Sequence, residues 1–193
     1  MIRVARLLTL FAALALIVGL AGAVTAKGRD SHAKGKPALA KEVPSDLTPP
    51  ASAVLLFELR ARGVQIYTCK AKPEDPAAFV WTFKAPQADL FNDRGEVVGS
   101  HFAGPTWQSQ DGSSVKGAVV ARVDAPSKKA IPWLLLEATS HTGDGVFSTI
   151  TYIQRLATKG GVAPNQGCDA THAGEEARVP YKATYAFYNP AAS

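Results

Sequence analysis

Apolar residues recur with period two over much of the chain. In VPYKATYAFY (179–188), Val179, Tyr181, Ala183, Tyr185 and Phe187 share one face. FVWTFK (79–84) sets Phe79, Trp81 and Phe83 against Val80, Thr82 and Lys84. GVQIYTC (63–69) sets Val64, Ile66 and Thr68 against Gln65, Tyr67 and Cys69. Such alternation predicts half-buried antiparallel strands. Two runs are more continuously apolar: WLLLEAT (133–139) predicts a central strand, and VLLFEL (54–59) a central strand or a short helix. GVFSTITYIQRL (145–156) is rich in Thr, Ile and aromatic residues and predicts a strand, with a helix open for its latter half.

Turn residues separate these runs at close intervals. Asn92-Asp93-Arg94-Gly95, Asp111-Gly112-Ser113 and Thr142-Gly143-Asp144-Gly145 each stand between two apolar runs, which is the mark of hairpins. Many short strands without a long helical pattern predict an all-β fold. The expectation is a single-domain antiparallel β-sandwich or irregular β-barrel over residues 51–193.

The start of the chain follows another pattern. Arg3 and Arg6 precede an uncharged apolar run from Leu7 to about Gly22, closed by Ala21-Gly22-Ala23 and Val24-Thr25-Ala26. This is the layout of a secretory signal peptide over residues 1–26, cleaved after Ala23 or Ala26, with a retained anchor as the alternative. Residues 27–50 are basic and Pro-rich and show no period, so they are expected to form a flexible linker. Export predicts a secreted or periplasmic protein with no membrane span once the leader is removed.

Charge changes the picture only by where it lies. The chain carries 21 Lys/Arg and 16 Asp/Glu, for a net charge of +5. Setting aside residues 1–42 leaves fourteen of each sign. A neutral domain offers no basic stripe, so no nucleic-acid partner is expected. The expected partner is an unidentified ligand or an envelope component.

Cys69 and Cys168 are the only cysteines. In an oxidising compartment an even count favours a disulfide, here tying the long patternless stretch 160–177 to the end of a strand. Two separate thiols are the alternative.

The polar residues of HFAGPTWQSQDGSSVKG (101–117) admit two readings. In one they specify a corner of the fold, with Trp107 buried and His101 bonded to its ring N–H or to backbone. In the other His101, Trp107, Gln108 and Asp111 line a cleft. Alternation along TWQSQ puts Trp107 and Ser109 on one face and Gln108 and Gln110 on the other, which opposes a single pocket for all of them. The leading expectation is an exported domain with a binding or structural envelope role; the alternative is a secreted hydrolase whose candidate catalytic residues are His101 with Asp111 or Glu137 in acid–base roles. The candidate binding residues are Trp107, Gln108 and Arg155. Arg155 has two readings: a clamp for a carboxylate, or, with more weight, an ion pair with Glu137 or Asp144. No cofactor is expected, because the chain has no Gly-x-Gly-x-x-Gly and no phosphate-binding loop. No metal is expected, because its histidines lack ligand spacing. There is also no Gly-x-Ser-x-Gly elbow.

Three motifs, His-x-x-Gly-Pro-x-Trp (101–107), Tyr-Ile-Gln-Arg (152–155) and Gly-Gly-x-Ala-Pro (160–164), stand in order among the strand segments. On these, residues 47–188 resemble the secreted family catalogued as domain of unknown function 3455. The resemblance implies a leader and an exported domain. It implies no activity, substrate or catalytic residue.

Overall fold

A computed structural model describes residues 43–191. The expected leader, 1–26, and most of the expected linker, 27–42, lie outside the described residues. Eight antiparallel strands form one closed ring: β1 (Ala53–Lys72), β2 (Asp75–Phe91), β3 (Val97–Phe102), β4 (Thr106–Ser109), β5 (Ser114–Val123), β6 (Trp133–Thr142), β7 (Tyr152–Gly160) and β8 (Glu176–Pro190). Each strand pairs with the next, and β8 returns to β1, so the barrel alternative of the two expected architectures is the one found. The closing seam runs from Ala53↔Pro190 to Thr68↔Glu176, with a bulge between Leu55 and Phe57. Closure removes both sheet edges. The ring is irregular, since β4 is four residues long and four of the other pairings carry a register shift within them.

Alternation decides what fills the barrel. Tyr181, Ala183, Tyr185 and Phe187 of β8 all point inward and join one core with Leu59 and Ala61 of β1, Leu90 of β2, Trp107 of β4 and Ile153 of β7. The outer positions carry exposed Arg60, Arg62, Lys116 and Lys182. Among the described residues no helix is long and apolar enough to cross a membrane.

Two segments of the sequence behave differently from expectation. VLLFEL and GVQIYTC are parts of one 20-residue strand, β1, and no helix forms at 54–59. GVFSTITYIQRL is a strand only from Tyr152 onward; its latter half is not helical, and residues 143–151 form a turn beneath the barrel. The reason is packing. Phe147, Ile150 and Ile153 are all fully buried, a spacing of three rather than two. Phe147 packs at a tilt against Phe187 and Phe57, with ring centres 4.9 and 6.0 Å away, and so stoppers this end of the barrel.

Residues 43–50, expected in the flexible linker, lie against the outside of the barrel. Leu47 is fully buried with Trp133, Leu135 and Leu156. Its carbonyl accepts a 2.6 Å hydrogen bond from Gln154 Nε2. This strap gives β6 a second covered face, which explains why WLLLEAT is continuously apolar rather than alternating.

Candidate functional site

In an up-and-down barrel, successive connections fall at opposite ends. The stoppered end holds the β2–β3, β4–β5 and β6–β7 connections. The other end holds the turns at 73–74 and 103–105, the loop 124–132 and the long loop 161–175. At that end the barrel opens into a cavity of about 560 Å³. Its walls are Phe83, Pro86, Trp107, Val119, Ile131, Leu134 and Leu136, with Gln65, Tyr67, His101, Arg155 and Tyr185 among them and Lys84 and Arg122 also lining it.

His101 and Trp107 are cross-strand partners on β3 and β4. Their rings stack at 4.4 Å and 15°, and Tyr185 closes on both, at 5.0 and 5.3 Å. His101 Nδ1 lies 2.9 Å from the Thr106 carbonyl. A carbonyl only accepts, so Nδ1 carries the proton and donates, and Nε2 of the neutral ring keeps its lone pair. Burial lowers the imidazole pKa to about 3; the Thr106 bond opposes this and the charge of Arg155 adds to it. His101 is therefore a neutral ring at physiological pH. Of the two partners expected for it, the structure shows the backbone, and the Trp107 ring N–H is left without a hydrogen bond.

The structure does not bring the other candidate catalytic groups to this ring. Asp111 lies in the β4–β5 turn at the stoppered end. Its carboxylate accepts from Ser113 N at 2.9 Å, Ser113 Oγ at 2.6 Å and Val146 N at 2.9 Å. These bonds, led by the Ser113 hydroxyl, hold its pKa down at about 2. Asp111 thus fastens the stopper loop to the neighbouring turn. We expect Asp111→Ala to lower the melting temperature by a few degrees and to leave affinity at the opposite end unchanged; calorimetry and a dye titration check this. Glu137 follows inward-facing Leu136 on β6, so alternation turns it outward; it is exposed, and Tyr152 Oη is 3.5 Å away. Gln108, next to Trp107, is also exposed on the outer face.

Trp107 and Arg155 both line the cavity. The preferred ion pair of Arg155 with Glu137 or Asp144 is not formed. Arg155 shares the inner face of β7 with Ile153, and Nε and Nη2 donate to the Pro132 carbonyl at 3.1 and 2.9 Å. The β5–β6 loop is thereby pinned at the rim.

Sequence reasoning missed Gln65, Tyr67, Tyr185, Lys84 and Arg122 as lining residues. The signal for three of them was present as parity, since Gln65 and Tyr67 share the face of Cys69, and Tyr185 that of Phe187. Gly160 and Gly161 bring loop and wall together. Both have left-handed backbone, with φ of 69° and 83°. A Cβ on Gly161 would approach Tyr181 Cβ to 2.9 Å and Gln65 Cγ to 3.0 Å, so the turn needs glycine. Here the Gly161 carbonyl accepts from Tyr67 Oη at 2.5 Å. Further along the same loop, Cys168 is bonded to Cys69.

His-x-x-Gly-Pro-x-Trp, Tyr-Ile-Gln-Arg and Gly-Gly-x-Ala-Pro thus all supply residues to one end of one barrel. A family model described as "Protein of unknown function (DUF3455)" matches residues 50–189. The chain belongs to that family. No curated protein and no solved structure matches the chain. In this DUF3455 domain His101, Pro105, Trp107 and Arg155 of those motifs line the cavity, and Gly161 ties the long loop to its wall.

Proposed function

We propose that this DUF3455 protein is an exported small-molecule-binding barrel and that the open end of the barrel is its binding site. The observation that carries this reading is a concave, mostly apolar cavity with unsatisfied polar groups on its lining residues. Its volume falls within the ~300–1,000 Å³ typical of ligand sites, and eight-stranded barrels are of a size to hold one small ligand. Trp107 Nε1 is buried without a hydrogen bond, and Gln65 Nε2 has none of good geometry, although it lies close enough to Tyr181 to influence its hydroxyl. The Tyr185 hydroxyl has none of good geometry either, although it sits close enough to Tyr181 and Arg155 to feel both. Buried polar groups are ordinarily paired, and a ligand or water in the cavity supplies the missing partners.

Binding is favoured over hydrolysis because no carboxylate lines the cavity beside His101. His101, Trp107 and Arg155 are binding residues on this account, and Asp111 and Glu137 are not. Export rests on the leader pattern, and a formed disulfide is compatible with it.

The neutral dye N-phenyl-1-naphthylamine, which brightens in apolar surroundings, tests the reading. The mature protein is expected to bind it. Val119→Trp is expected to weaken binding about tenfold or more, because the indole occupies the mouth from a position that is now exposed. An absence of dye binding, or equal binding by a well-folded Val119→Trp protein, would overturn it.

A further inference from the structure

The cavity collects positive charge and no negative charge. Lys84, Arg122 and Arg155 line it, and no Asp or Glu does. Lys84 is neutralised by Glu176. Arg155 is different: among the described residues no carboxylate oxygen lies within 4 Å of it. Nε and one Nη2 hydrogen are used on the Pro132 carbonyl. A guanidinium has five donors; the fork also lies close to the Tyr185 hydroxyl, which can take one more, and among the described residues no carboxylate takes the rest.

A half-buried guanidinium beside Ile131, Leu134 and Leu136 loses hydration, and an ion in that position is ordinarily compensated by a partner charge. Its charge reaches His101, Tyr67, Tyr181 and Tyr185, which puts it in the middle of the polar inner surface. The Pro132 carbonyl fixes the orientation of the fork before any ligand arrives. Such a fork suits a flat oxyanion bound through two parallel N–H groups.

We propose that the ligand is an organic monoanion whose carboxylate or sulfonate head sits on Arg155 and whose apolar body lies against Trp107 and the Ile131–Leu136 wall. This rests on the binding reading above and gives it a ligand class. A cationic ligand would meet two like charges, Arg122 and Arg155, that no carboxylate among the described residues offsets. A ligand with several negative charges would find only one half-buried positive group, because Lys84 is paired with Glu176, Arg122 is exposed at the mouth and His101 is neutral.

Two dyes with one common body separate this inference from the reading beneath it. 1-Anilinonaphthalene-8-sulfonate differs from N-phenyl-1-naphthylamine by its sulfonate. The wild-type protein is expected to bind the sulfonate about tenfold tighter or more. Arg155→Gln is expected to abolish that preference, so that the affinities for the two dyes come within about twofold of each other, while near-UV dichroism reports that the barrel is folded. Arg155→Lys, which keeps the charge and loses the fork, is expected to fall between the two, and it carries the test should Arg155→Gln unfold. Equal wild-type affinities for the two dyes, or equal weakening of both by the substitutions, would overturn the monoanion and leave the binding reading standing. Binding of neither dye would overturn both.

Discussion

Replacing both cysteines, Cys69→Ala with Cys168→Ala, is expected to cost about 3–5 kcal/mol of folding stability. The bond joins residues 99 apart, and in the chain-entropy account a loop of that length confines the unfolded chain by up to ~4.7 kcal/mol. The folded state loses less. The loop 161–175 keeps other ties: Trp81 Nε1 donates to the Gln166 carbonyl at 2.9 Å, Cys69 N to Glu175 O at 2.9 Å, and Gly174 N to Cys69 O at 2.9 Å. Asp169 also caps the short 3₁₀ turn Ala170–His172 by accepting from Thr171 N. The double variant should therefore keep native near-UV dichroism in dilute buffer, yet unfold at lower urea. Its m-value should rise, because an unlinked denatured chain exposes more surface. A loss below about 1 kcal/mol would show that the cross-link strains the folded loop as much as it restrains the unfolded one.

What the sequence made legible follows from the range of the interactions involved. Period-two alternation is local, and the inner face of β8 is the face named from VPYKATYAFY alone. Hairpin turns are local too, and 92–95 and 111–113 lie between strands as their residues predict. Closure is not local. Choosing a barrel over a sandwich depends on pairing β1 with β8 across more than a hundred residues, and nothing in either strand specifies its partner. The same blindness affects the site. His101 and Asp111 are ten positions apart, yet they serve opposite ends of the barrel, because β4 carries the chain from the open end to the stoppered one. Parity on TWQSQ did indicate that Trp107 and Gln108 diverge, and they do. The expected pairing of Arg155 with Glu137 or Asp144 within the sheet fails for another reason: the register sets Arg155 opposite Leu134, the β7 pleat turns it inward and Glu137 points out from β6. The three-residue spacing of Phe147, Ile150 and Ile153 was the one local sign that the stopper loop is not a strand.

Acid should unfold this protein through His101 in a window where carboxylates are still ionised. The unfolded ring has a pKa near 6.5 and the folded one about 3. Between those values the unfolded chain binds a proton that the native ring refuses. Stability therefore rises with pH across the window and is lost as pH falls from about 6.5 toward 3. A gap of this size is worth several kcal/mol, on the order of 3–5, for a fully buried group. Three other groups give the comparison its direction. His172 is held up by Asp169, so its contribution has the opposite sign: it is present below the unfolded pKa and fades as pH rises through the raised value. Its pair is exposed and screened, so it is a weak counterweight. Asp111 and Asp169 are both held at about 2, and their contributions are lost only once pH falls below about 4. The His101→Phe variant isolates the effect. It retains a flat ring to stack on Trp107 and leaves the Thr106 carbonyl without its donor, so it should be less stable than wild type at pH 8. Between pH 6.5 and 4 its urea midpoint should hardly move, while that of wild type declines steadily; the two profiles should converge or cross toward the acid side. Parallel profiles would mean that the native ring takes up the proton in the folded barrel, and that the cavity is wetter and more polar around His101 than its burial and its stacking on Trp107 imply.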